Sequence, residues 1–130
     1  MPAKHSIYGR NFAIDVPTGA PIFDDGTKTA TATGTGGTGT ATLNKTSGKI
    51  TTGALTTAAG GTHVLTLTNS KIAADEIVIV TVGKGTATTG TPTVADVTPA
   101  AGSVVITIQN IHASAAINGT LVIGYQIFKP

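Results

Sequence analysis

Residues 62–82, THVLTLTNSKIAADEIVIVTV, decide the fold. His63, Leu65 and Leu67 alternate with Val64, Thr66 and Thr68, the period of two that turns one row toward a core and leaves a Thr-rich row outside. The run Ile77-Val-Ile-Val-Thr-Val82 is apolar on both sides. Such a strand is either central and covered on both faces, or has its outer face against another chain. Between the two runs, Ser70 to Glu76 has room for a single helical turn.

Working outward, short apolar runs recur with turn chemistry between them, the pattern of an all-β sandwich or barrel. Strands are expected near 40–45, 48–52, 62–69, 76–82, 91–97, 103–111 and 119–128. Val104, Ile106 and Ile108 form one inner row, and Leu121, Ile123, Tyr125 and Ile127 another; Val105, Ile111, Val122 and Phe128 fall on the opposite faces. Surplus apolar rows on a chain with only 11% charged residues point to self-association, because lysine and glutamate normally block such contacts. Residues 26–44, GTKTATATGTGGTGTATLN, are nearly symmetric about Gly36-Gly37 and read as two Thr-rich strands around a glycine turn.

Residues 1–25 differ from the rest. They hold three of the five aromatics (Tyr8, Phe12, Phe23), the single Arg10 and three of the six prolines. Pro17 and Pro21 with Gly19 between them disfavour helix, so an extended N-terminal arm is expected before one domain over 26–130. The fold class is thus all-β, an antiparallel β-sandwich or jelly-roll-like domain with an extended arm.

Composition excludes several kinds of chemistry. Thr, Ala and Gly fill 61 of 130 positions, and there is no Cys, hence no disulfide framework and no thiolate site. The net charge is +2 with no basic cluster, which argues against a nucleic-acid partner. No run reaches 18 apolar residues and residues 1–10 lack a signal-type apolar stretch, so neither a membrane partner nor export is expected. Gly34–Gly39, GTGGTG, lacks the strand, helix and acid of a dinucleotide loop. Ser47-Gly48-Lys49 is followed by Ile50 where a phosphate loop needs Ser or Thr. Asp24-Asp25-Gly26 reads as a solvated turn, since the further oxygen ligands of a calcium site are missing. His63 reads as a strand-start residue and His112 as a satisfied polar residue at a turn or interface. With few, scattered titratable groups, no catalytic residue, cofactor or metal is assigned, and an enzyme is not expected.

Five segments carry a resemblance over about two-thirds of the chain: Ser47-Gly-Lys-Ile-Thr-Thr52, Leu55-Thr-Thr-Ala-Ala-Gly60, Leu65-Thr-Leu-Thr-Asn-Ser70, Val97-Thr-Pro-Ala-Ala-Gly-Ser-Val-Val-Ile106 and Ile111-His-Ala-Ser-Ala-Ala-Ile-Asn-Gly-Thr120. They resemble a module of small virion proteins of tailed bacteriophages, of the capsid decoration (cement) type. The resemblance implies a β-sandwich, usually a homotrimer, made in the host cytoplasm and bound to the major capsid protein on the outer surface of the phage head. It supplies no catalytic residues. Under this reading Tyr8, Arg10, Phe12 and Phe23 are the expected contacts with the capsid or a neighbouring subunit. A tail-fibre or receptor-binding module contacting host-surface glycans is the alternative, disfavoured by the lack of aromatics between 24 and 124 for stacking on sugars.

Overall fold

A computed structural model describes residues 17–24 and 26–130 in full, and residues 4–6 and 12–15 by their backbone pairing. Eleven strands follow in order: β1 (Lys4–Ser6), β2 (Phe12–Asp15), β3 (Pro21–Phe23), β4 (Thr29–Thr31), β5 (Thr38–Thr42), β6 (Ser47–Thr51), β7 (Thr62–Thr68), β8 (Ile77–Lys84), β9 (Pro92–Ala100), β10 (Ser103–Asn110) and β11 (Leu121–Phe128). The described residues contain no helix; Ser70 to Glu76 makes turns.

Two four-stranded sheets, ordered β5-β7-β10-β9 and β4-β6-β11-β8, pack face to face as a β-sandwich. The first contributes Leu65 and Leu67 of β7 and Val104, Ile106 and Ile108 of β10. The second contributes Ile50 of β6 and Leu121, Ile123, Tyr125 and Ile127 of β11. Cross-strand register aligns these rows, with Ile106 opposite Leu65 and Ile123 opposite Ile50, so the period-two pattern becomes one continuous aliphatic layer. Each fully buried side chain contributes about 1.5–3 kcal/mol, and the layer is closed at its ends by Leu43, Leu55, Ile72, Ala87 and Ile117.

β9 departs from strict alternation. Val94 and Val97, three apart, both pack on the core because the register shifts beside Thr107 and Ile108 and leaves Ala95 as an extra residue.

Residues 26–44 form no hairpin. β4 pairs parallel with β6 and β5 parallel with β7, so the two Thr-rich strands join opposite sheets, linked by the single bridge Thr33–Thr40. Thr favours extension but does not choose a partner, whereas Ala32 and Ala41 are drawn into the core on either side of the corner. The chain passes itself closely there. Gly34 has φ +89°, and a Cβ on Gly39 would lie 2.6 Å from the Thr33 carbonyl oxygen.

In the arm, β1, β2 and β3 form a three-stranded antiparallel sheet, β2 central. Its described backbone is extended but folded back on itself.

Candidate interaction surface

The outer face of the β4-β6-β11-β8 sheet carries a groove and a cluster of exposed apolar side chains. Across its middle run Thr81 of β8, Gly124 of β11, Lys49 of β6 and Thr29 of β4, neighbours by register. Gly124 leaves this row without a side chain at its centre, and a Cβ there would lie 2.8 Å from Thr81 Oγ1. The result is an open groove of about 490 Å³, with Lys28 and Lys49 at one side and Ile79 at the other.

Beneath the groove a buried polar network fixes its floor. Tyr125 Oη donates to the Lys45 carbonyl at 2.8 Å, Asn69 Nδ2 donates to the same carbonyl at 2.7 Å, and Asn69 Nδ2 lies 3.2 Å from Tyr125 Oη. Asp24 is buried as well, contrary to the solvated turn expected. Its Oδ2 accepts from the Thr46 N–H at 3.0 Å and its Oδ1 lies 3.7 Å from Lys45 Nζ. These bonds hold Asp24 at φ 68°, a left-handed conformation that aspartate tolerates better than most residues.

Burial pushes the Tyr125 hydroxyl up to about 12; the Asp24 carboxylate pushes the same way, and the Asn69 hydrogen bond opposes both. The folded state therefore keeps this proton when the unfolded chain has lost it. Its contribution is fully present below pH 10 and falls between pH 10 and about 12, by up to ~1.4 kcal/mol per pH unit. Tyr125→Phe should remove that part of the alkaline loss, read as the difference between the two proteins' unfolding curves across this window. Parallel pH profiles would contradict it.

Beside the groove lies an apolar corner. Phe128 and Ile77 are cross-strand partners on this face, 41% and 50% exposed, with Ile79 next to them at 53%. The Phe23 ring meets Phe128 edge-on, centroids 6.4 Å apart, and the Phe23 carbonyl accepts from Ser47 Oγ at 3.1 Å. One of the four expected contact residues thus packs on its own domain. Phe12 is the cross-strand partner of Phe23 in the β2–β3 pair and is described by its backbone; Tyr8 and Arg10 lie outside the described residues.

The outer face of the other sheet is an array of Thr40, Thr66, Thr98 and Thr107 with Val64 and Val105. Among the described residues its one charge is Asp96, which accepts from Thr98 Oγ1 at 2.7 Å.

Two of the three histidines, His63 and His112, serve the structure. His63 is wholly buried, its Nδ1 donating to the Gly36 carbonyl at 2.7 Å, while Nε2 has no partner among the described residues. His112 Nδ1 accepts from the Ser114 and Ala115 N–H groups and so shapes its own loop. Among the described residues no three His, Asp or Glu side chains gather as metal ligands would.

Fold and surface define an all-β sandwich with an aromatic-bearing arm joined to a grooved, partly apolar sheet face. Comparison with family models, curated proteins and solved structures returned no match for the chain.

The groove was not anticipated from the sequence, although a glycine inside the apolar strand 121–128 is the signal that marks it. Lys28 and Lys49 carry no such signal, because their convergence depends on the parallel β4–β6 pairing.

Proposed function

We propose that the chain is a non-enzymatic structural protein of a tailed-phage virion, a decoration protein that binds the outside of the assembled head as an oligomer and stabilises it. The observation that carries this reading is the apolar corner Phe23, Phe128, Ile77 and Ile79, placed where the arm meets the outer face of a sheet. An exposed apolar patch beside a groove suits a broad, flat protein partner better than a small molecule. The sequence resemblance over residues 46–128 and the scarcity of charge support the same reading. A protein that binds the assembled shell and not its separated subunits stabilises the shell by mass action.

Quantitative mass spectrometry of purified particles tests this. The chain is expected in a fixed ratio to the major coat protein, with hundreds of copies per particle. A handful per particle would move it to the tail or a fibre and overturn the decoration role.

A further inference from the structure

Edge strands expose unpaired N–H and C=O groups, and natural proteins blunt them by shortness, proline, charge or bulges. Three of the four sandwich edges are blunted in this way. β4 has three residues, β5 has five with Gly39 at its second position, and β9 carries Pro92, Pro99, Asp96 and the bulge at Ala95.

The fourth edge, β8, has one such device, the charge of Lys84 at its last position. It runs eight residues, pairs with β11 without a register shift, and has neither proline nor charge from Ile77 to Gly83. Among the described residues its backbone makes no hydrogen bond on the side away from β11.

We propose that β8 pairs antiparallel with β8 of a second copy of this chain, about a two-fold axis at Val80. The two β4-β6-β11-β8 sheets then become one sheet of eight strands. Side-chain alternation restricts direct pairs to residues of one face, and the axis at Val80 sets Ile79 opposite Thr81 and Ile77 opposite Gly83 of the second copy. Gly83 has open space where a Cβ would stand, so the exposed Ile77 gains a gap to fill.

Charge selects the second copy and the antiparallel direction. In this register Lys84, which has no ion-pair partner among the described residues, lies opposite Glu76 and next to Asp75 of the second copy. Among the described residues those two acids have one paired cation between them, Lys129, which is 2.6 Å from the buried Glu76, so the exposed Asp75 is the acid left open to Lys84. Parallel pairing would instead set Lys84 beside Lys84 and acid beside acid. A two-fold contact is self-complementary and closes at two copies. The outer face with its groove stays open and is doubled, and the pairing stands or falls separately from the virion role.

Light scattering across a concentration series tests the stoichiometry, with twice the 12.8 kDa chain mass expected. Because the chain has no Cys, the register can be read directly by mixing an Ile79→Cys protein with a Thr81→Cys protein under mild oxidation. Directly opposed residues have Cα atoms within disulfide range, so the mixed cross-link should exceed that of either protein alone. Lys84→Glu should weaken the dimer at least about tenfold, and adding Asp75→Lys should restore it. A chain that stays monomeric up to about 1 mM, a threefold assembly, a dimer without the mixed cross-link, or one indifferent to Lys84→Glu would each overturn the pairing.

Discussion

Replacing Asn110 with alanine should cost the fold roughly 3–5 kcal/mol, more than any surface substitution. Asn110 closes the inner row of β10 and is wholly buried. Its Nδ2 donates to the carbonyls of Thr57, Ala58 and Ala115 at 3.1, 3.2 and 2.8 Å, and its Oδ1 accepts from the N–H groups of Thr91 and His112 at 2.9 and 3.2 Å. One amide thus ties together the three loops at this end of the sandwich. Alanine would strand several of these backbone groups away from water, at about 1–3 kcal/mol for each one left unpaired. Aspartate should be no better, since its carboxylate would face three carbonyl oxygens. Urea denaturation measures the loss as a lowered midpoint at unchanged slope. A loss below about 1 kcal/mol would show that the loops hold without the amide.

The second large effect concerns binding rather than folding. Deleting residues 1–20 should abolish attachment to heads and leave the unfolding midpoint of the domain nearly unchanged. Among the described residues every buried core residue lies between Ala32 and Ile127, and β3 pairs with β2 alone, so the sandwich is expected to fold without the deleted segment. The cut keeps Phe23 on Phe128 and Asp24 on the Thr46 N–H. What is lost is Tyr8, Arg10 and Phe12. Two aromatics at about 1.5–3 kcal/mol each would lower affinity by roughly two to four powers of ten. Undiminished binding by the truncated chain would remove the arm from the contact.

The legible part of the fold was the part written in side-chain alternation. The rows Leu65–Leu67, Val104–Ile108 and Leu121–Ile127 could be assigned to a core because inward and outward positions differ in polarity, and the structure buries them as expected. Where both faces of a strand look alike, the pattern is silent. Ile77–Val82 fits a central strand as well as an edge strand, and only the pairing shows β8 at the edge with Val78, Val80 and Val82 turned inward. The same silence explains residues 26–44. Thr and Gly state that the chain is extended and then turns, but the partner of each strand is set by contacts far along the chain, β4 with β6 and β5 with β7.

The candidate surface was legible to a lesser degree. Surplus apolar residues on 77–82 and at Phe128 announced an exposed face, and three of them form the apolar corner with Phe23. The burial of Asp24 was hidden, because its partners Lys45 and Thr46 come to it only through the way the chain enters β6. The groove was hidden for the same reason: it needs Lys28, Lys49 and Ile79 from three separate segments around one glycine.

The central claim is that this chain binds an assembled shell from outside and strengthens it. The most direct measurement adds the purified protein to intact heads that lack it, and in parallel to unassembled coat protein, following bound protein and the temperature at which the heads come apart. The account predicts saturation at a fixed ratio to coat protein, a higher disruption temperature at saturation, and no binding to unassembled subunits. Heads that bind none of it, or bind it without any gain in heat resistance, would contradict the account.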